Sequence, residues 1–378
     1  MPLSAAHRET PSGRPRARGA GIPFPGDPGA CNAITDVGDV EVGYCTLVEG
    51  DGPLVVGKGP VRTGVTAVFP RGRAKGTAPV YAGFFIMGGN GELSGAAFIE
   101  ERGRFEGPVV ITNTHSCGLA RDATAQWMTE QVANDAKADQ PFWLPVAAET
   151  FDGMLNDING HHVTAAHVRA AFADAKGGPV DEGNVGGGTG MTTYQFKGGS
   201  GTASRVIDVE GSPYTVGAFV QSNFGKRHLL TVAGIPIGVH FPTDESPNSD
   251  LGSIIGVVAT DAPLLPHQLN RLARRSTLGI ARSGGIASNE SGDLFVALST
   301  ANEDVIESNF GSVKVEMLGE GNLSVFYEAA VQAMDEAIMN ALFAGETMVG
   351  RDGNTAHGLP IDEVCDILRR HNRLVDVK

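Results

Sequence analysis

Cysteine is scarce in this sequence, and the few cysteines present do not form a recognisable binding site. All four are widely separated along the chain and none belongs to a C-x-x-C pair: Cys31, Cys45, Cys117 and Cys365. Closely spaced cysteine pairs are typical of zinc sites, and a dense cysteine framework is typical of small secreted domains. We therefore predict reduced thiols, no metal ion and a cytoplasmic protein.

Basic residues and long apolar runs are also lacking. The chain has 29 Lys and Arg against 43 Asp and Glu, a formal net charge of −14, whereas a nucleic-acid partner requires a basic surface. No run of about 18 apolar residues is present, which a membrane helix would need. The N-terminal residues also lack the apolar stretch of a signal peptide. We expect neither nucleic acid nor a membrane as a partner.

Glycine, in contrast, is abundant, with 52 residues in the chain. The segment 182–205 is so rich in glycine that a regular helix or strand there would lose much conformational entropy on folding. We predict that it is a functional loop or a linker, and that residues 183–190 within it form a loop that shapes a substrate pocket. Because it lacks the G-K-[ST] ending of a phosphate-binding loop, it gives no indication of a nucleotide, and no cofactor is expected.

The 378 residues suffice for one large α/β unit or for two closely packed halves. Residues 1–25 are polar and end in a Pro/Gly cluster, which predicts a flexible N-terminal arm. The stretch 241–252 is predicted to be exposed and mobile. Apolar runs predict strands, including 205–211, 214–223 and 228–238. Helices are predicted at 123–136, capped by Asp122, and at 165–175, 266–281, 322–345 and 361–371.

One unusual feature is a serine that follows a glycine where the predicted mobile stretch meets an apolar strand. Gly252 has no Cβ, so the hydroxyl of Ser253 can approach the preceding carbonyl, and an N-to-O acyl shift becomes feasible. Hydrolysis of the resulting ester would leave Ser253 as a chain terminus, whose α-amine has a pKa suited to a base near neutral pH. Taken alone, the dipeptide is far more often an ordinary strand start.

Several longer blocks of sequence give this dipeptide its context. From residue 21 onward the chain resembles the L-aminopeptidase D-amidase/D-esterase family, the DmpA-like self-cleaving serine aminopeptidases that include β-aminopeptidases. The blocks that carry the resemblance are VRTGVTAVFPRG, FFIMGGNGELSG, EGPVVITNTHS, GNVGGGTGM, FKGGSGTASR, GSII with ATDAPLLPHQL, and SGDLFVALSTAN. Together they cover nearly the entire chain.

The resemblance implies a four-layer αββα sandwich, similar to the N-terminal-nucleophile hydrolases and shared with the ornithine acetyltransferases. It also implies cleavage between Gly252 and Ser253. Residues 26–252 would then form the α-chain part and residues 253–378 the β-chain part of one domain, with four such pairs assembling. The implied substrates are short peptides, amides or esters.

The catalytic roles are carried over by position. The resemblance implies that Ser253 is the nucleophile, that Ser291 and Asp293 form the neighbouring Ser-x-acid pair, and that Asn223 donates its side-chain amide to the oxyanion. Alternation along a strand agrees with this, since residues two apart share one face and can act on one amine or hydroxyl. Which group is the working base is left open. Without the resemblance, an S-G-D triplet is more often a turn and strand start.

Two further positions concern substrate binding. Glu149 matches the carboxylate that would hold the free amine of the substrate, with an exposed helix-capping Glu as the competing interpretation. Phe151 stands where the family usually has Tyr, and Gly88 where Asn is common. Both departures leave the substrate range open, including α- or β-amino acids and L- or D-forms.

Two other functions compete with the peptidase. An acetyltransferase of the ornithine type shares the superfamily and the self-cleavage, but a Thr nucleophile would be expected at position 253. A non-catalytic, uncleaved binding protein on the same scaffold is the second alternative.

Overall fold

The structure is a computed structural model that describes residues 3–133, 140–242, 252–306 and 311–376. Of the predicted mobile stretch, residues 243–251 lie outside the described residues. Eight α-helices are described: α1 Ala5–Arg8, α2 Ala96–Arg102, α3 Cys117–Gln131, α4 Ala165–Asp174, α5 Pro266–Ser283, α6 Glu303–Ile306, α7 Leu323–Phe343 and α8 Ile361–Arg370. Within the described ranges, every helix is too short or too polar to traverse a lipid bilayer.

The strands form two main sheets. The first strands are β1 Glu41–Glu49, β2 Val61–Phe69, β3 Pro79–Gly89, β4 Arg104–Glu106, β5 Val109–Asn113, β6 Val146–Thr150 and β7 Thr192–Thr193. The later ones are β8 Phe196–Lys197, β9 Gly199–Val209, β10 Ser212–Asn223, β11 Gly252–Thr260, β12 Ser291–Ser299, β13 Met348–Val349 and β14 Thr355–Ala356. One sheet has the order β1-β2-β5-β6 and the other β4-β3-β12-β11-β10-β9.

Two helical layers enclose the two sheets. Helices α5 and α7 pack on the six-stranded sheet, and α3 and α4 pack on the four-stranded sheet. A third group of apolar side chains fills the space between the sheets. This arrangement confirms the predicted αββα sandwich.

The apolar run of β11 is explained by burial on both faces. Ile255 and Val257 contribute to the core between the sheets, whereas Ile254 and Val258 contribute to the core under the helices. Because successive side chains of a strand point to opposite faces, a strand with two buried faces has no polar alternation. The start of β11 therefore lies deep in the sandwich, with a neighbouring strand on each side.

The N-terminal segment is not a flexible arm, which corrects the sequence-based prediction for residues 3–25. Arg16 Nε lies 2.7 Å from Glu182 Oε2, and Arg18 Nε lies 2.6 Å from Glu336 Oε1, with both arginines buried. The two glutamates are 166 and 318 residues further along the chain. Paired charges can be buried at an acceptable free-energy cost, so the polar composition of this segment reflects ion pairs and not solvation.

Helix α3 begins six residues earlier than predicted, so Asp122 lies inside it and not at its cap, and residues 134–136 of the predicted helix lie outside the described residues. The Asn113 side chain accepts a hydrogen bond of 3.0 Å from the Ser116 N–H, at the short 3-10 turn that leads into the helix. Asn113 therefore caps this 3-10 turn, while the N-cap residue of α3 itself is Ser116, which makes no side-chain capping hydrogen bond. The predicted helices at 165–175, 266–281, 322–345 and 361–371 correspond to α4, α5, α7 and α8.

Two further predictions about strands are wrong. The segment 182–205, predicted to be a loop, contains β7, β8 and the first half of β9. A Cβ on Gly201 would lie 2.1 Å from the Ala337 carbonyl oxygen, so glycine allows this strand to approach α7 closely. Residues 228–238, predicted to be a strand, form short 3-10 turns instead, because Ala233 and Gly234 turn the chain with positive φ.

Candidate active site

Ser253 lies at the start of β11 with a site residue on each neighbouring strand. Its Cα partner on the antiparallel strand β10 is Asn223, and its partner on the parallel strand β12 is Gly292. Only 3% of the Ser253 surface is exposed. A Cβ on Gly252 would lie 3.1 Å from the Asn223 carbonyl oxygen, so a larger residue before Ser253 would crowd this carbonyl. The fold thus brings together residues far apart in sequence.

Ser291 and Asp293 are joined by a direct hydrogen bond. Ser291 Oγ donates to Asp293 Oδ1 over 2.7 Å, and both side chains are buried. Burial raises the pKa of Asp293, while the hydrogen bond from Ser291 opposes this by lowering it. The structure therefore places the two side chains in the contact that strand alternation predicts.

The side chains of Ser253 and of the Ser291–Asp293 pair lie on opposite faces of the sheet. Paired residues of neighbouring strands share a face, so Ser253 lies on the side of Gly292 and Asn223, between the two sheets. Ser291 and Asp293 alternate with Gly292 and lie on the helix side. The pair is therefore adjacent to the Ser253 backbone and on the face opposite its hydroxyl.

The amide of Asn223 is fixed by two hydrogen bonds. Its Oδ1 accepts from the Thr192 N–H over 2.8 Å, and its Nδ2 donates to the Phe151 carbonyl oxygen over 2.8 Å. Since a backbone N–H can only donate and a carbonyl can only accept, these partners determine which end of the amide is oxygen. One N–H of Nδ2 is left for a further acceptor near Ser253.

A cavity of about 300 Å³ opens in front of Ser253. Its lining residues come from five separate parts of the chain: Asn90, Gly91, Glu92, Thr114, Glu149, Phe151, Gly252, Ser253 and Glu290. Three of them are glutamates and none is Lys, Arg or His, so the cavity favours a cationic group. Sequence reasoning missed Asn90, Glu92, Thr114 and Glu290. The only available signals were that Glu92 lies in the GGNGELSG block and that Glu290 directly precedes Ser291.

Glu149 is a buried residue of β6 and not an exposed helix cap. One carboxylate oxygen accepts from the Glu92 N–H over 3.0 Å, and the other accepts from the Thr114 hydroxyl. Burial raises the pKa of Glu149, and these two hydrogen bonds lower it in part. Its carboxylate is held rigidly at the wall of the cavity.

The two positions that depart from the family lie near these groups. Phe151 directly follows β6 and is 39% exposed, so its ring forms part of the cavity surface without a hydroxyl. Gly88 of β3 is the Cα partner of Asp293. A Cβ on Gly88 would lie 2.4 Å from the Ser291 carbonyl oxygen. The spacing of β3 and β12 in this chain therefore requires glycine at this position.

A second cavity is larger but has no link to the predicted chemistry. It has a volume of about 500 Å³ and is lined by Lys75, Thr77, Ala78, Pro79, Arg104, Glu106, Trp143 and Glu303. None of the predicted site residues lines it. Within the described part of the chain, no three His, Cys, Asp or Glu side chains are grouped as metal ligands. The smaller cavity at Ser253 is therefore the candidate active site.

Comparison with known protein families matches residues 32–356 to peptidase family S58. The chain belongs to this family. The resemblance noted from the sequence blocks is thereby confirmed, and this S58 chain is a hydrolase, specifically a serine-type aminopeptidase. Membership of a peptidase family decides against the acetyltransferase and the non-catalytic binding protein.

Three relatives are similar to the S58 chain over nearly its whole length. The β-peptidyl aminopeptidase BapA of Sphingosinicella microcystinivorans is 50% identical to it, over 96% of this chain and 94% of that protein. The structure of the L-aminopeptidase D-Ala-esterase/amidase of Ochrobactrum anthropi is 48% identical, with a TM-score of 0.90 over 96% of this chain and all of that one. That protein is described as a prototype of the serine aminopeptidases and a variant of the Ntn-hydrolase fold. A β-aminopeptidase of a Burkholderia species is 45% identical, with a TM-score of 0.84 over 94% of this chain and 98% of that one.

Proposed function

We propose that the S58 chain cuts itself between Gly252 and Ser253 and then uses Ser253 to release N-terminal residues from short peptides, amides or esters. The observation that carries this proposal is the position of Ser253. It lies at the start of a central strand, on the wall of an acidic cavity and opposite an amide whose orientation is fixed. Serine-type aminopeptidase relatives with the same fold support it.

In the self-cleavage step, Ser253 Oγ attacks the carbonyl carbon of Gly252 and loses its proton. The C–N bond to Ser253 breaks, the nitrogen takes up a proton, and an ester remains. Water then hydrolyses this ester, which leaves a carboxylate on Gly252 and a free α-amine on Ser253. The chain would become two polypeptides, residues 1–252 and 253–378.

In turnover, the same hydroxyl attacks the substrate carbonyl. The free N–H of Asn223 donates to the oxygen that becomes negative in the tetrahedral intermediate. The leaving amine departs with a proton, and water hydrolyses the acyl-enzyme. Because Ser291 and Asp293 lie on the face opposite the Ser253 hydroxyl, we assign them to the α-amine of Ser253, whose protonation they would control, and we assign the role of base to that amine.

Glu149 accounts for action at the N-terminus of the substrate. Its buried carboxylate lies in the cavity with Ser253 and would bind a protonated α-amine by a charge-assisted hydrogen bond. Phe151 would contact the side chain of the first residue. The 50% identical relative is named a β-peptidyl aminopeptidase, which supports β-amino acids among the accepted N-terminal residues. Assembly of four cleaved pairs and a cytoplasmic location stay predictions.

The decisive experiment combines intact mass with a panel of α- and β-aminoacyl p-nitroanilides. We expect two fragments and release of p-nitroaniline from the wild type. Ser253→Ala should stay a single chain of 378 residues and release none. Ser212→Ala, at the exposed far end of β10, is the matched control and should behave as wild type. Continued turnover by Ser253→Ala, or processing at another bond, would overturn the proposal.

A further inference from the structure

Lys197 is a buried cation that has no carboxylate partner among the described residues. It ends the two-residue strand β8 and is 0% exposed. Its Nζ donates to the carbonyl oxygens of Met191 and Gly198, each over 2.8 Å, with a longer contact of 3.4 Å to that of Gly188. Burying an ammonium group without an opposite charge is costly. A methionine of similar length would avoid this cost, which points to a role for the charge itself.

A single peptide group connects Lys197 to the candidate active site. The carbonyl of Met191 accepts from Lys197 Nζ over 2.8 Å. The N–H of the same peptide belongs to Thr192 and donates to Asn223 Oδ1 over 2.8 Å. In a trans peptide the C=O and N–H point in opposite directions. The group therefore spans the distance between the ammonium and the Asn223 amide, with its dipole aligned between them.

Hydrogen bonds in such a chain polarise one another, more strongly in a low-dielectric interior than in water. A cation at the Met191 carbonyl makes the Thr192 N–H a stronger donor. A stronger hydrogen bond to Asn223 Oδ1 in turn draws electron density from the side-chain amide, so that its Nδ2–H groups donate more strongly. One of these groups is held by the Phe151 carbonyl, and the other remains for the oxyanion.

We propose that Lys197 is a positioning residue for catalysis, whose ammonium acts through the Met191–Thr192 peptide to orient and polarise the Asn223 amide beside Ser253. The proposal rests on the function proposed above, in which Asn223 is the oxyanion donor. An oxyanion forms both in self-cleavage and in substrate acylation, so loss of the charge slows both reactions. Since Lys197 does not line the cavity, ground-state substrate binding does not depend on it.

The charges around Lys197 make its contribution dependent on pH. Burial is the main reason that the pKa of Lys197 is lowered to about 7, and the positive charge of Arg14 adds to it. Arg14 reaches this region from the N-terminal segment and pairs with Glu346 over 2.8 Å. The N–H of Lys197 also donates to the His357 carbonyl oxygen over 2.7 Å, so His357 is a further titratable residue in this region. As pH rises through about 7, the lysine loses its charge and its polarising effect on Asn223 weakens.

The test compares Lys197→Met and Lys197→Gln with the wild type. Methionine removes both the charge and the donor, whereas glutamine keeps a neutral donor. We expect kcat to fall about 10- to 100-fold for Met, less than the loss of an oxyanion donor itself, and by an intermediate factor for Gln. KM should stay within about twofold of the wild type, because only the transition state is affected. The kcat of the wild type divided by that of Lys197→Met should be largest below pH 7 and should fall towards pH 9. We use this ratio because the titration of groups that both proteins share cancels in it.

Ser276→Ala is the control. Ser276 is a buried polar residue of α5 whose hydroxyl donates to the Ala273 carbonyl over 2.7 Å within the same helix. Its kcat should stay near that of the wild type. Lys197→Met could fold without being processed, and the rate of self-cleavage is then measured in place of kcat. Slow self-cleavage in a protein with a native circular dichroism spectrum supports the proposal.

Three results would overturn the inference. They are a wild-type kcat in folded, processed Lys197→Met, an equal loss of kcat in Ser276→Ala, or failure of both lysine variants to fold, which would make Lys197 a structural anchor alone. A wild-type protein that neither cleaves itself nor hydrolyses any anilide would instead contradict the proposed function. The two failures are therefore distinguishable.

Discussion

Asn223 and Ser253 lie opposite each other in the antiparallel pairing of β10 with β11. This places a side-chain amide next to a serine hydroxyl on one face of the sheet. The amide is held by the Thr192 N–H and the Phe151 carbonyl and therefore cannot rotate freely. Such a fixed donor stabilises charge that develops on a neighbouring oxygen without reorganisation.

Asn223→Ala should therefore lower kcat by about 10²- to 10³-fold with little change in KM, because an oxyanion donor acts in the transition state. Steady-state kinetics with an aminoacyl p-nitroanilide check this, and the rate of self-cleavage should fall in parallel. Asn302→Ala, which does not line the cavity, is the control. A mainly raised KM would indicate that Asn223 binds substrate instead.

Glu149→Gln should raise KM for substrates with a free amine by about 10- to 100-fold, the value of a hydrogen bond to a charged group of about 1.5–3 kcal/mol. Burial raises the pKa of Glu149, so the side chain is a charged carboxylate only above that raised pKa. As pH falls through this pKa, Glu149 becomes protonated and loses its charge. The wild-type KM should thus rise on the acid side, starting at a higher pH than for an ordinary carboxyl group, and the Gln variant should lack this change. Glu49→Gln, exposed in β1, is the control.

Ser291→Ala and Asp293→Asn should each lower kcat by about 10²-fold, the lower range for a proton-transfer group. Because Ser291 donates directly to Asp293, the double variant should be little worse than either single one. The alanine variant also removes the hydrogen bond that lowers the pKa of Asp293, which moves that pKa further up. A double-mutant cycle measures the coupling. Additive losses would show that the two residues act independently.

Glu336→Gln should lower the free energy of unfolding by about 3–5 kcal/mol, because it leaves Arg18 and Arg205 buried without their partner. Although burial raises the pKa of Glu336, the charges of Arg205 and Arg18 outweigh this and lower it to about 2. The folded-state pKa is thus below the unfolded value. The stabilisation is present above about pH 4.5 and is lost as pH falls towards about 2.

Urea denaturation at pH 7 and pH 3 measures both effects of this change. The wild type should lose more stability on acidification than Glu336→Gln does. Glu328→Gln, exposed on the same helix α7, is the matched control. Equal stability of Glu336→Gln and the wild type at pH 7 would contradict the prediction.

Local signals in the sequence were sufficient for most helices. Helix α5 begins with Pro266, which suits the first helical position, and ends at Gly284 with positive φ. The errors arose where partners are distant. From the sequence alone, Arg16 and Arg18 are expected to be exposed to solvent. Their ion-pair partners, Glu182 and Glu336, are distant in sequence and come close only in the fold. From the sequence alone, Gly201 is expected to lie in a loop. In the structure it lies in a strand, where the nearby carbonyl of Ala337 leaves no room for a Cβ.

The same limit applies to the candidate site. Ser253 could be suspected from its own neighbourhood, but Asn223, Asp293 and Glu149 entered only through resemblance to a family. Their proximity follows from strand order, which the spacing of motifs does not reveal. Lys197 carried no chemical signal in the sequence, because a buried contact with a peptide carbonyl appears only in three dimensions.

The order β4-β3-β12-β11-β10-β9 has a further consequence for a protein cut before Ser253. Strands β11 and β12 would belong to one polypeptide and lie between strands of the other, so that neither piece has a complete sheet without its partner. The pieces could part only by global unfolding, and renaturation would become a second-order reaction that dilution slows. The lifetime of the folded protein in the cell would then depend more on the free-energy barrier to unfolding than on the equilibrium constant for unfolding.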